Sequence, residues 1–410
     1  MSADCCDSGK LLDVDDTLRR LLAKAQVIND VETVATPDAL GRVLAEAQIS
    51  PLDVPPLDNS GMDGYAFALD DLPADGWLPV EQRQCAGDSL ADLIRGTAAR
   101  IFTGAVVPRG ADTAIAQEHC EVVAGRVRLP LDAKRGANIR RRGEDITAGA
   151  TILAKGARLR PQELGMAATM GIARLPVYRR LRVAVFSTGD ELAPLGAPLR
   201  SGQIYDSNRY ALFGLLHTVG CEVIDLGRVS DDFDETSTVL QQAAQRADLI
   251  ITSGGVSVGE EDYVKAAVER LGEIDLWRIA IKPGKPLAFG RVGETPFFGL
   301  PGNPVASYIS FCIFVRPFLL RMQGVNDVAP LRLSVPAQFA WPKAGKRREF
   351  VRARLASDAN GQQGVTLYPN QGSGVLSSVV WGNGLAIIPE GRTVQPGDIV
   401  SFLPFSDLLS

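Results

Sequence analysis

The sequence predicts a multi-domain chain of α/β plus β type, with a central helix-covered sheet and β-rich parts on either side of it. Three observations carry this. From Leu181 to about residue 325, continuous β-branched runs alternate with amphipathic segments, the pattern of a largely parallel sheet covered on both faces. From about Tyr65 to Ile146, and again from Ala329 to the end, only short β-type runs remain. At 410 residues the chain is too long for one ordinary core and suits about two to four domains.

The elements follow in order. Leu11 to Ile28 has apolar residues at helical spacing, with Asp13, Asp15 and Asp16 at the end where a helix dipole favours anions. A short helical patch is expected from Ala39 to Ala47, followed by the Pro-rich PLDVPPLDNSGMDGYAF. ARIFTGAVVP, DTAIAQEH and GRVRLPL read as strands of a small β-rich domain. PQELGMAATMG, from Pro161 to Gly171, reads as a helix with Pro at its first position and Gly past its end. The strands RVAVFSTG, EVIDLGRVS, DLIITSGG, DLWRIAIKPGKPLAFG and PFFGLPGN then alternate with helices, the last beginning at Pro304. Val305 to Leu320 is the most apolar stretch; with a break expected at Arg316–Pro317 it is too short to span a bilayer and reads as a core helix. LRLSVPAQF, REFVRARL, GVTLYP, GLAIIP and DIVSFLPF form a separate C-terminal β domain, and Trp277, Trp341 and Trp381 need only packing roles.

Hydrophobic residues at 46% and charged residues at 22% exclude a disordered or fibrous chain. The net charge, 43 − 48 = −5, lacks the field of a nucleic-acid or membrane-surface binder, so any anion site must be built locally. The six Cys form no CxxC pair and read as reduced, mostly buried thiols of a cytoplasmic protein. MSADCCDSGK lacks the basic and apolar regions of a signal peptide, so none is expected. Two His, His119 and His217, argue against a His-based zinc site; both read as packed or surface residues, His217 mid-helix near the apolar face.

In an open α/β sheet the ligand crevice lies beyond the carboxyl ends of the strands. Those ends carry Asp190–Glu191, Asp231–Asp232, a Gly-rich turn from Ser253-Gly254-Gly255 through Ser257 and Gly259 to Asp262, then Arg278 with Lys282 and Lys285, and finally Pro301-Gly302-Asn303-Pro304. The Gly-rich turn offers free N–H groups to a phosphate. Asn303–Pro304 is an N-cap followed by a first-turn Pro. Carboxylates beside a phosphate call for a bridging Mg²⁺. Singly, each acidic pair reads as a helix cap; together, opposite two lysines, they read as a site. Neither GxxxxGK[ST] nor GxGxxG is present, and Gly255–Gly259 matches GxSxG with no His after it, so a serine hydrolase is not expected. Asp58 to Tyr65 reads locally as an Asx-type turn, Arg140 to Asp145 as a charged loop, and Thr103–Gly104 as a turn.

DNSGMDGYAF, IFTGAVVPRGADTAIAQEH, NIRRRGEDI, STGDEL, IYDSNRYAL, TSGGVSVGEEDYV, IKPGKPLAFG and LPGNPVASY, in this order, resemble the molybdopterin molybdenumtransferase family, which is similar to the C-terminal domain of gephyrin. The resemblance runs from about residue 11 to the end. It implies a three-layer α/β/α domain like that of the molybdopterin adenylyltransferase over 179–327. A mixed linker domain would comprise 11–50 and 147–178, an inserted β-rich domain 51–146, and a C-terminal β-barrel 328–410. It also implies a homodimer whose cleft brings Asp58, Asp63, Thr103 and Asp145 of one subunit to the rim of the other.

The implied reaction inserts molybdate into adenylylated molybdopterin and releases AMP with Mg²⁺. Glu191, Asp231 and Asp262 would hold the metal, and Asp190, Asp63, Thr103 and Asp145 would join them in catalysis. Ser253, Gly254, Gly255, Ser257, Gly259, Lys282 and Lys285 would bind phosphates. Arg278, Lys282 and the turn from Pro301 through Asn303 to Pro304 would meet molybdate, with Ser373 near the cleft. Arg278 stands where relatives often have Lys, and Gly61 where they often have Ala. The adenylyltransferase and apo-molybdoenzymes are the implied partners, and neither nucleic acid nor membrane is expected. The competing readings are a scaffold or molybdopterin carrier, against which the carboxylates of Glu191 and Asp262 speak, and another Mg²⁺-nucleotide enzyme of this sheet type.

Overall fold

Asp13 starts the first helix. Its carboxylate accepts from the N–H groups of Asp15 (2.8 Å) and Asp16 (3.1 Å), a cap worth about 1 kcal/mol. Helix α1, Val14–Lys24, buries Val14, Thr17 and Leu21 and ends four residues short of the expected Ile28. The computed structural model describes residues 11–255, 263–357 and 361–409. The chain divides into two units, one comprising residues 1–32, 41–45 and 177–410, the other 33–40 and 46–176.

In the first unit the chain runs β1 (Arg182–Thr188), α2 (Ser207–Thr218), β2 (Glu222–Val229), α3 (Phe233–Arg246), β3 (Leu249–Ser253), α4 (Tyr263–Leu271), β4 (Gly272–Arg278), β5 (Ile281–Lys282), β6 (Pro286–Val292) and β7 (Thr295–Leu300). Six of these strands form one sheet in the order β2-β1-β3-β7-β6-β4. β1 is an interior strand, apolar on both faces. Val183 and Val185 pack with Leu212, Leu215 and Leu216 of α2. Ala184 and Phe186 pack with Leu240 of α3 and Val264 of α4.

The sheet is mixed rather than wholly parallel. β2, β1, β3 and β7 are parallel, whereas β6 runs antiparallel to both β7 and β4. DLWRIAIKPGKPLAFG, expected as one strand, is three: Pro283 has no N–H for a ladder, and Gly284 at φ +101° reverses the chain. The patch from Ala39 to Ala47 is not helical either. Only a 3₁₀ turn forms at Thr36–Ala39; Gly41 takes φ +72°, and Leu44 then bridges Val177 in an extended segment.

After β7 come helix α5, Pro304–Ser310, a π-helical turn, Phe311–Val315, and helix α6, Arg316–Met322. The expected break at Arg316–Pro317 is absent. Pro317 would clash with a carbonyl one turn earlier, and the wider π register absorbs it without ending the helix. The 19-residue run is long and apolar enough to cross a membrane, but most of it is buried in this core, where Phe318 contacts Phe289 (5.5 Å between centroids) and Phe298 (5.1 Å).

The C-terminal strands are β8 (Leu333–Pro336), β9 (Arg348–Ser357), β10 (Gln363–Leu367), β11 (Gly384–Ile388) and β12 (Ile399–Pro404). They pair in the order β5-β9-β11-β12-β8, with β10 on β9, and Ala337 bridges Val365 of β10. The short β5 therefore leaves the α/β region to join the C-terminal sheet.

In the second unit, six strands pair in the order 113–116, 64–67, 98–101, 77–84, 126–128 and 121–123, around Tyr65, Phe67, Leu78 and Val127. The helix Pro161–Thr169 has its Pro at the start, and Gly171 at φ +70° closes its end by bonding Ala168 O. Cys85, Cys120, Cys221 and Cys312 are free thiols; only the last two are buried. His217 is exposed near the end of α2, its Nδ1 2.6 Å from Phe213 O, and faces away from the core.

Candidate active site

The order β2-β1-β3 makes a switch point, since the chain leaves β1 for one neighbour and reaches the other by a return crossover. β4 runs in the same direction as β7, so Arg278 reaches the same rim, and the reversed β6 places Lys285 there at its start. The structure thus gathers Asp190, Glu191, Asp231, Ser253, Gly254, Gly255, Arg278, Lys285 and the Pro301–Pro304 turn on one edge. Ser257, Gly259 and Asp262 lie outside the described residues.

Gly254 (φ +94°) comes so near β1 that a Cβ would sit 3.0 Å from Thr188 O. The close approach keeps the crevice narrow and needs glycine there. At Gly189 a side chain would strike the Glu191 carboxylate, which folds back over it. Glu191 is anchored by its carbonyl, which accepts from Ile204 N (2.9 Å), and by pairing of Leu192–Ala193 with Ile204–Tyr205. Asp190 lies 3.7 Å from Arg228. At the end of β2 the two acids separate in role: Asp232 caps α3 by accepting from Glu235 N (2.8 Å), while exposed Asp231 takes no part in the cap. Among the described residues, Glu191, Asp231, Arg278 and Lys285 make no ion pair. No group of three or more acidic, His or Cys side chains among them converges into a metal cage.

Lys282 is different: its ammonium lies 2.9 Å from Glu349 of β9. Asn303 stands at the start of α5, but its side chain makes no capping bond, so Pro304 alone marks the helix start. The preceding turn is held by Asn208 of α2, whose Nδ2 donates to both Gly302 O and Ser253 Oγ (2.7 Å each), tying three elements at the switch point. Ser373 reaches the same helix start, its carbonyl accepting from Val305 N (2.9 Å). Beneath it Arg352, only 1% exposed, donates to Gly372 O (3.0 Å) and Ser378 Oγ (2.9 Å), and burial draws its pKa down to about 10. Sequence reasoning missed Asn208, Glu349 and Arg352. IYDSNRYAL entered only as one of the segments that carry the family resemblance, and nothing local flags the other two.

In the other unit Asp58, Asp63, Thr103 and the 139–142 segment come together, because Asn59–Ser60 pairs with Ile139–Arg140. Asp63 Oδ1 accepts from both Thr103 N and Thr103 Oγ1 (2.7 Å each). These bonds, the backbone one first, hold the carboxyl below its usual range. At Asp58 partial burial opposes the charge, but Arg142 N and the Arg141 guanidinium (2.7 Å each) outweigh it and again lower the pKa. Asp145 is exposed, its N–H donating to Val54 O (3.0 Å). The arginine run is therefore a built counter-ion loop rather than a merely solvated one.

Residues 12–171 match the MoeA N-terminal region (domain I and II), 184–321 a probable molybdopterin binding domain, and 334–405 the MoeA C-terminal region (domain IV). Fold and site together thus define a MoeA-type protein of molybdenum cofactor biosynthesis. A molybdopterin molybdenumtransferase of Haemophilus influenzae is 40% identical over 97% of this chain and 100% of its own length. Molybdopterin molybdenumtransferase 2 of Mycobacterium tuberculosis is 40% identical over 87% of this chain and 91% of its own. The crystal structure of a molybdopterin biosynthesis MoeA protein from Pyrococcus horikoshii superposes with a TM-score of 0.81 at 29% identity, covering 96% of this chain and 100% of that one. The chain belongs to the molybdopterin molybdenumtransferase family, and it is an enzyme, a molybdotransferase, with molybdopterin as substrate.

Proposed function

We propose that the enzyme takes adenylylated molybdopterin and molybdate, places molybdenum on the dithiolene, and cleaves the phosphoanhydride so that AMP leaves. The observation that carries this is the rim itself: charges of both signs at the switch point, with Glu191, Asp231, Arg278 and Lys285 making no ion pair among the described residues. The N–H groups of Gly254 and Gly255 and the ammoniums of Lys282 and Lys285 bind the phosphates. Arg278 and the Pro301–Pro304 turn meet molybdate, a tetrahedral dianion, and Arg278 offers it a fixed fork of donors. Ser373 borders this turn. Asp190 orients water toward the anhydride. The dithiolene supplies the soft ligands for molybdenum, so the protein needs no Cys or His cluster.

The exposed oxygen donors Glu191 and Asp231, with Asp262, suit Mg²⁺, which takes one or two carboxylates and completes its shell with phosphate and water. A ready-made cage is not required. When bound, the ion offsets charge on the phosphates and on departing AMP.

The reading includes a homodimer in which Asp63, Thr103 and Asp145 of one copy serve the rim of the other. It also includes the four-part division of the chain, with a C-terminal barrel supported by the bridge from Ala337 to Val365, and a cytoplasmic setting beside the adenylyltransferase and apo-molybdoenzymes.

The test is a defined assay with adenylylated molybdopterin, molybdate and Mg²⁺, read as AMP release and activation of an apo-molybdoenzyme. Dependence on both molybdate and Mg²⁺ is expected. Binding of the adenylate without AMP release would favour a carrier. For the dimer, mixing inactive Asp63→Ala with inactive Glu191→Gln should restore part of the activity, since mixed dimers contain one intact site; no recovery on subunit exchange counts against the shared cleft.

A further inference from the structure

We propose that Glu349 is a positioning residue that aims the Lys282 ammonium at the bound anion, a role that rests on the reading of the rim above. Glu349 is 7% exposed, and its Oε2 lies 2.9 Å from Lys282 Nζ, while the lysine side chain is 47% exposed. A buried carboxylate at the rim of an anion site is doubly unfavourable: it loses hydration, and it repels the ligand. The next residues on the strand, Phe350 and Val351, are apolar, as a strand needing only to pack would have them. The acid therefore needs a role beyond packing.

The backbone enforces the pairing. β5 and β9 run parallel with Lys282 directly opposite Glu349. The chain leading into β5 is clamped on both sides, by Ala280 N to Leu12 O (2.7 Å) and by Arg348 N to Ala280 O (2.8 Å). With the main chain held, the remaining freedom of Lys282 is its four-carbon stem, whose rotamer entropy opposes any fixed placement. Glu349 restricts that stem. Its neighbour Arg348 pairs instead with Asp15 (2.7 Å) and Glu390 (3.3 Å). The other Glu349 oxygen faces Gly345, where a side chain could not stand, since a Cβ would come within 2.9 Å of it. The carboxylate is thus cradled on one side and presented to Lys282 on the other.

Charge and placement predict opposite outcomes, which makes the role testable. If Glu349 were only a nearby negative charge, removing it would tighten anion binding. As a positioning group, its removal loosens binding. The experiment uses the full chain as wild type, Glu349→Gln, Glu349→Asp, Lys282→Met and the Gln/Met double variant. AMP and molybdate are titrated calorimetrically, and AMP release from the adenylate is followed in parallel. Glu349→Gln should raise the AMP Kd and the adenylate KM roughly tenfold with a smaller change in kcat. Glu349→Asp should recover part of the loss. On the Lys282→Met background the Gln change should add nothing, because the group it positions is gone. Unchanged or tighter AMP binding by folded Glu349→Gln overturns the proposal, as does a loss undiminished on Lys282→Met. If Glu349→Gln does not fold, Glu349→Asp decides: weaker AMP binding supports the role and unchanged binding removes it. Failure of wild type to release AMP would sink the proposed reaction, whereas the AMP titrations still judge Glu349.

Discussion

The two ends of the α/β sheet use charge differently. At the amino ends of the strands, Arg179 grips Asp248 through both Nη atoms (2.7 Å each) and Asp30 through Nε (2.8 Å), and Asp248 also accepts from Arg182 N (2.7 Å). Around it Lys24 meets Asp275 (3.3 Å) and the face of Phe289 (5.2 Å to the centroid), and Arg291 meets Glu273 (3.0 Å). These groups line a hollow of about 680 Å³, yet their charges are matched to one another. At the carboxyl ends, Glu191, Asp231, Arg278 and Lys285 lack such matches among the described residues. The hollow alone would make the amino end a candidate site. Unmatched charge favours the carboxyl end, and that is where ligand oxygens can complete what the protein leaves open.

The largest effect expected from this contrast is at the rim. Glu191→Gln should lower metal-dependent AMP release by roughly a hundredfold or more while leaving the melting temperature unchanged, because the carboxylate makes no ion pair among the described residues. Retained turnover would erase the distinction between the two ends.

At the other end, Asp248→Asn should keep its catalytic constants but lose about 1–3 kcal/mol of stability at neutral pH, since it leaves Arg179 with only the exposed Asp30 as a charged partner. Burial pushes the Asp248 carboxyl up, but the Arg179 and Arg182 bonds pull harder and leave it below the usual carboxylate range. A carboxyl depressed in the folded state stabilises fully above its unfolded pKa, and that contribution fades as pH falls through the folded one. Denaturant melts of both proteins should therefore differ at pH 7 and draw together as pH falls below the ordinary carboxylate range. A gap independent of pH would mean that shape, not charge, holds this end.

Asn208→Ala sharpens the comparison at an intermediate scale. Two hydrogen bonds are lost, about 1–2 kcal/mol by denaturant melt, yet the freed 301–304 turn should make the loss in adenylate kcat/KM larger than that figure converts to. Equal losses would make Asn208 a purely structural bond. The smallest effect belongs to Arg291→Ala, whose exposed pairs with Glu273 and Glu294 should leave both melting temperature and turnover within error.

What the sequence revealed divides along similar lines. Runs such as RVAVFST and LIITS announce buried strands because β-branched and aromatic residues leave little else for them to be. Lys282, read at one strand end with Arg278, lies instead on β5, which pairs with the C-terminal sheet. The division of 272–292 was harder to see, since it depends on β5 finding a partner 67 residues later on β9. Ala39–Ala47 has a helical composition, but Gly41 and the bridge from Leu44 to Val177 override it, and only the distant strand shows this. Glu349 and Arg352 sit in REFVRARL, a segment legible as a strand, whose polar members become meaningful only when their neighbours across space are known.

The π turn at Phe311–Val315 carries a further consequence. A π turn holds one residue more than the α-helical turn it replaces. Deleting one residue inside it would tighten the turn to α-helical winding and bring Pro317 against the carbonyl one turn earlier, while Arg316 would stay near its bonds to Val328 O (3.3 Å) and Asp407 O (2.9 Å). The same deletion in the regular turns of α5 would rotate everything beyond by about 100° and carry the Phe318 ring out of its aromatic stack. What this helix loses with a residue depends on which turn gives it up.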